Sequence, residues 1–132
     1  MAKVLVVDDD DDTREMLRIL FAHEGCDVRT AESGTAAMKE YWKARDEGDP
    51  VKLVVMDLAM PDLDGVTTTA QLRAAEAGDP GAPRAFIYGY TGHGDKLHSR
   101  ESLFRAGFDF VAVKPGDPAD FKRMARKFTD GE

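Results

Sequence analysis

The sequence of 132 residues has the length of one globular domain, and its 42% hydrophobic and 33% charged residues exclude disordered and fibrous chains. Its 25 acidic residues against 18 Lys+Arg give a formal charge of −7, which disfavours nucleic acid and anionic membranes as partners. No apolar run approaches the roughly 20 residues that span a bilayer. No secretory leader pattern follows Met1, and the single Cys26 excludes an internal disulfide framework, so a cytoplasmic domain is expected.

Along the chain, apolar runs alternate with helical patterns. Val4-Leu5-Val6-Val7 lacks polar alternation, as a strand buried on both faces of a parallel sheet does. From Asp12 to His23, Met16, Leu17, Leu20 and Phe21 recur at helical spacing, and Gly25 stops the helix. Cys26 to Thr30 reads as a brief strand, and Ser33 as the N-cap of a helix with Ala37, Met38 and Tyr41 on one face. The loop Asp46 to Pro50 precedes a second buried strand, Leu53-Val54-Val55-Met56. A turn-rich segment from Pro61 to Gly65 leads into a helix from about Val66 to Glu76. Gly78 to Pro83 separates that helix from a strand over Ala85 to Tyr90. Beyond Thr91-Gly92-His93-Gly94 a helix ends at Gly107, and a strand runs from Asp109 to Val113. Asp117-Pro118 opens a last helix with Phe121, Met124, Ala125 and Phe128 inward. Five strands alternating with five helices predict one α/β domain over residues 1–132, a doubly wound three-layer sandwich with a five-stranded parallel sheet.

Ligands of such sheets bind beyond the carboxyl ends of the strands. Asp8-Asp9 closes the first strand, Asp57 the third, Thr91 the fourth and Lys114 the fifth. Three carboxylates held together repel unless a cation lies between them, and a hard divalent ion with oxygen ligands is the natural answer. Mg²⁺ suits the set, because it is commonly held by one or two carboxylates plus a phosphate. One carboxylate is then free to attack phosphorus, with the lysine and hydroxyl neutralising phosphoryl oxygens.

At this point the chain resembles the receiver domain of two-component response regulators, with flavodoxin-like topology, over nearly its whole length. The matching pieces are Val4 to Asp9, Val54 to Gly65, Tyr90-Thr91-Gly92 and Val113-Lys114-Pro115, in that order and spacing. The resemblance implies Asp57 as phosphoacceptor and Mg²⁺ as cofactor. Asp9 and Asp57 would be metal ligands, with Asp8 assisting through water and Ala59 offering its backbone carbonyl. Thr91 would hydrogen-bond the phosphoryl group, and Lys114 would pair with it. The implied donor is a phosphohistidine on a sensor histidine kinase or a phosphotransfer protein, and the implied output is a protein contact. The chain would catalyse only its own phosphorylation and dephosphorylation. The initiating Met1 favours a free-standing regulator over a domain of a hybrid kinase.

Plainer roles compete for several of these residues. Asp10 to Asp12 read as helix-cap residues, and Asp62 and Asp64 as turn formers before Gly65. His23, His93 and His98 lack metal-ligand spacing. Cys26 reads as a small core residue, and Trp42 as half-buried helix surface. Asp9 and Asp11, in Asp9-Asp10-Asp11-Asp12-Thr13, also fit the D-x-D-x-T pattern of haloacid-dehalogenase-type phosphatases, although Asp57 precedes Thr91 and Lys114 in the wrong order for that family. An FMN binder would place hydroxyls and amides where five aspartates stand. A receiver acting only by protein contacts would not need Asp8, Asp9, Asp57, Thr91 and Lys114 intact. Three features depart from the receiver pattern. Val111 stands where an aromatic switch residue is usual, with Phe110 expected to face the other side. Gly116 stands where many relatives carry Phe, and Tyr88-Gly89-Tyr90 is an unusual trio. Activation is therefore expected mainly to remodel the loop from Thr91 to Lys96 and the start of the fourth helix.

Overall fold

The structure, a computed structural model, describes residues 1–60, 62–92 and 99–130. Its elements run β1 (Lys3–Val7), α1 (Asp11–His23), β2 (Asp27–Ala31), α2 (Gly34–Asp46) and β3 (Leu53–Met56). They continue as α3 (Gly65–Ala77), β4 (Phe86–Gly92), α4 (Arg100–Ala106), β5 (Phe110–Lys114) and α5 (Pro118–Asp130). All five strands are parallel, in the order β2-β1-β3-β4-β5. This is the expected three-layer α/β sandwich.

Strand alternation divides the interior into two apolar compartments. Leu5, Val7, Val54, Met56 and Ile87 face one way, where they pack with Ala37 and Tyr41 of α2, Leu72 of α3 and Leu103 of α4. Val4, Val6, Leu53, Val55, Tyr88 and Tyr90 face the other way, onto Leu17 and Phe21 of α1 and Phe121 and Ala125 of α5. Each helix begins where its sequence supplies a cap. Asp10, Ser33, Asp64 and Ser99 each accept a backbone amide from the first turn of the helix they open. Asp117 accepts the Ala119 amide at 2.9 Å at the start of α5.

Some boundaries differ from expectation for local reasons. β2 begins at Asp27 rather than Cys26, because the Cys26 amide bonds back to the Phe21 carbonyl at the end of α1. β4 runs two residues past Tyr90, since Thr91 and Gly92 pair with Val113 and Lys114. β5 starts after Asp109, whose carboxylate instead accepts the Ile87 amide at 2.8 Å. Cys26 is buried and Trp42 is half-exposed, as expected.

The amino end of the sheet carries its own charged groups. Lys3 is buried, with its ammonium 3.4 Å from Asp27 and 3.3 Å from Asp49. Arg73 on α3 pairs with Glu76 and Asp109 at 2.8 Å each, and donates to the Ala85 and Gly107 carbonyls. Arg84 binds the second Asp109 oxygen at 2.7 Å.

Candidate functional site

The sheet ladder does not stop with the regular strands. The Asp57 amide donates to the Val7 carbonyl at 2.9 Å and the Asp8 amide to the Ala31 carbonyl at 3.1 Å, so the two aspartates leave the sheet side by side. Both are buried, at 2% exposure for Asp8 and 5% for Asp57, while the neighbouring Asp9 is exposed. One oxygen each of Asp8, Asp9 and Asp57 lies within 4.8 Å of the other two.

Two helix starts shape the floor of this cluster. Asp10 caps α1 by accepting from Thr13, and Asp8 Oδ1 accepts the Asp10 amide at 2.9 Å, which turns the Asp8 carboxylate into the cluster. Arg14, one turn into α1, donates to the Asp8 carbonyl at 2.8 Å. On the other side, the Gly65 amide bonds the Leu58 carbonyl at 2.8 Å. A Cβ at Gly65 would overlap the Asp57 carbonyl, so only glycine lets α3 start this close to the cluster.

Lys114 arrives from the end of β5. Its ammonium bonds Asp8 Oδ2 at 2.7 Å and stands 3.9 Å from Asp57 Oδ1. Thr91, 5% exposed, lies near the end of β4, and its hydroxyl donates to the Gly92 carbonyl at 3.4 Å. The Ala59 amide donates to Asp57 Oδ1, also at 3.4 Å.

The electrostatics follow from this packing. Burial, then the Asp8 charge, push the Asp57 carboxyl up to about 7, with Lys114 opposing. For Lys114 burial works against the charged form, but the bond to Asp8 and the charge of Asp57 outweigh it and raise the ammonium above its ordinary value. Three acidic groups thus share one lysine. Extra positive charge, held by oxygen ligands, is what the cluster lacks, and a hard divalent cation fits that donor set.

The residues singled out in the sequence separate cleanly. Asp8, Asp9, Asp57 and Lys114 come together, with Thr91 near the end of the adjoining strand. Asp10 to Asp12 stay in the cap and first turn of α1, and Asp64 caps α3 by accepting the Thr67 amide at 2.7 Å. Asp62 does more than shape a turn. Its two oxygens accept the Gly34 and Thr35 amides at 3.1 and 3.2 Å, so it caps α2 from across the fold. The hydrogen bonds from Thr35, Leu63 and Gly34 hold its carboxyl well below the usual range. Phe110 and Val111 face opposite sides, as alternation requires. Phe110 is exposed and stacks on Tyr88 at 5.3 Å, whereas Val111 packs into the compartment below α4. Pro61, His93, His98 and the 93–96 part of the expected switch loop lie outside the described residues.

Sequence reasoning missed Arg14, the capping role of Asp62, and Tyr90, whose hydroxyl accepts the Gly116 amide at 2.6 Å. Only Tyr90 had a visible signal, its place in the unusual aromatic trio.

Comparison with known proteins points to one family. The family model described as the response regulator receiver domain matches residues 4–126. An uncharacterized 14.6 kDa protein of Leptolyngbya boryana is 32% identical over 125 residues, which cover 95% of this chain and 88% of that protein. The transcriptional regulatory protein AruR of Pseudomonas aeruginosa is 34% identical over 94% of this chain, which spans 48% of AruR. The chemotaxis protein CheY4 of Vibrio cholerae shares the fold, with a TM-score of 0.80 at 23% identity, covering 97% of this chain and 98% of that one. Receiver domains bind Mg²⁺ at an acidic aspartate cluster such as this one, and interact with histidine kinases and output domains. None of the described helices is long and apolar enough to cross a membrane. With the family match running from β1 into α5, the chain belongs to the response regulator receiver domains of two-component signalling.

Proposed function

We propose that residues 1–132 form one receiver domain that accepts a phosphoryl group on Asp57 and acts in the cytoplasm. The observation that carries this reading is the shared site of Asp8, Asp9 and Asp57 against the single ammonium of Lys114. Asp9, Asp57 and the Ala59 carbonyl would hold Mg²⁺, with Asp8 acting through water. The bound ion supplies positive charge where the carboxylates and an incoming phosphoryl group repel each other.

An oxygen of the ionised Asp57 carboxylate bonds to phosphorus as the N–P bond of a phosphohistidine, protonated on its other ring nitrogen, breaks. That electron pair stays on nitrogen, so that neutral imidazole leaves. Lys114 moves its charge from Asp8 to the new phosphoryl oxygens, and Thr91 donates its hydroxyl to them. The donor is a sensor histidine kinase or a phosphotransfer protein, and the output is a protein contact. The chain turns over no other substrate. Asp11, the second residue of the phosphatase-like reading, supports that alternative poorly, because it is 85% exposed and paired with Arg14.

Acetyl phosphate with Mg²⁺ should add one acid-stable, base-labile phosphoryl group, located by mass spectrometry. Asp57→Asn should abolish the label and Asp62→Asn should keep it. A label on Asp9 would overturn the assignment in favour of the phosphatase-like reading.

A further inference from the structure

Tyr90 stands directly before Thr91 and is 2% exposed. Three separate contacts tie it to the Lys114 segment and to α5. Its ring lies under the Lys114 ammonium, 5.5 Å from Nζ to the centroid. Its hydroxyl accepts the Gly116 amide at 2.6 Å, two residues beyond that lysine. Its ring meets Phe121 of α5 edge-on at 5.1 Å, which fixes the ring plane. A side chain at Gly116 would be crowded by this ring and by Phe121. A Cβ there would lie 3.1 Å from Tyr90 Cε1 and 3.0 Å from Phe121 Cε2. The turn after β5 thus packs closely on both aromatic rings.

We propose that Tyr90 is a positioning residue for phosphoryl transfer, holding the Lys114 ammonium over Asp57 from beneath while its hydroxyl pins the turn after β5. The inference rests on the phosphoacceptor reading. A lysine ammonium sits on a flexible four-carbon stem, so one hydrogen bond to Asp8 leaves it free to swing. The π face adds an attraction directed at the ammonium, and the Gly116 bond restrains the backbone from which the stem grows. The benefit falls on the transition state. As an Asp57 oxygen bonds to phosphorus and the P–O bond of acetyl phosphate breaks, acetate leaves with the electron pair, and a restrained ammonium has only the short move from Asp8 to the phosphoryl oxygens to make.

Tyr90→Phe keeps the ring and removes only the acceptor for the Gly116 amide. Tyr88→Phe is the control, since it deletes the same group from a neighbouring ring that also packs on Phe121, at 5.5 Å. Rates of Asp57 labelling are measured against acetyl phosphate and against Mg²⁺ well below the melting temperature, and the Gly116 amide is followed by NMR. Tyr90→Phe should lower the maximal rate about fivefold and leave both half-saturating concentrations unchanged, which marks a loss confined to the transition state. The Gly116 amide proton should move upfield in the same variant, and Tyr88→Phe should label at the wild-type rate. Tyr90→Leu, which also removes the ring, should lose more. A Tyr90→Phe protein that labels at full rate although its Gly116 signal has moved, or one in which only the half-saturating concentrations change, overturns the inference and leaves the phosphoacceptor reading standing. A wild-type protein that takes no label sinks that reading, and this inference with it.

Discussion

The two ends of the sheet handle buried charge in opposite ways. At the amino end each of these cations and carboxylates has an ion-pair partner: Lys3 with Asp27 and Asp49, and Arg73 and Arg84 with Glu76 and Asp109. Asp109 also accepts a backbone amide, so both of its oxygens are engaged. At the carboxyl end three aspartates face one lysine, and Asp57 is forced towards neutrality by burial and by Asp8. The first arrangement is complete as folded. The second becomes complete only when something positive arrives. A network in which every charge has an ion-pair partner serves stability, whereas carboxylates crowded around one ammonium keep a site ready for a ligand.

The largest test of this contrast is at the balanced end. Arg73→Ala leaves Glu76 and Asp109 without their shared cation and should cost about 3 kcal/mol in denaturant unfolding. Acetyl phosphate labelling of the remaining folded protein should continue at the wild-type rate. A slowed rate would mean that the two ends are not independent.

A smaller effect of opposite sign is expected at the unbalanced end. The folded-state pKa of Asp57, about 7, lies above its ordinary value of 3.8, so ionising it disfavours the fold. Its contribution is fully present below about pH 4 and is lost as pH rises through 7. Without Mg²⁺, the wild-type melting temperature should fall between about pH 5 and pH 8. Asp57→Asn should flatten that slope and melt about 8 °C higher at pH 8. Equal slopes in the two proteins would show that Asp57 is not the strained group.

The smallest effect is that of the cation. Mg²⁺ at about tenfold over its dissociation constant should stabilise the protein by about 1.4 kcal/mol through mass action. Asp9→Ala should remove that response. Calorimetric scans with and without the ion decide it, and a wild-type curve indifferent to millimolar Mg²⁺ would break the comparison.

The architecture and most of the site were legible in the sequence because both arise from short-range patterns. Buried parallel strands read as unbroken runs such as Leu53 to Met56, and the residues just beyond each run are brought to the same edge of the sheet. Asp8, Asp57, Thr91 and Lys114 needed no more than that. The features that escaped depend on partners distant in the chain. Asp62 looks like a turn former in its own segment, and its bonds to Gly34 and Thr35 exist only once α2 has docked beside the β3–α3 loop. The Arg73 network joins α3 to the starts of β4 and β5, and no spacing rule announces it. The end of β4 moved for the same reason, because its length is set by the register of β5.

The division of the interior by the sheet has a consequence for how such a chain diverges. Leu5 and Val4 are neighbours in sequence, yet they belong to different compartments on opposite faces of the sheet. Substitutions on one side can be compensated by substitutions on that side alone, because distant sites without common neighbours contribute additively. Each compartment drifts separately, constrained mainly by the volume it must fill. Two independent drifts over one common septum let the sequence change widely while the backbone keeps its shape.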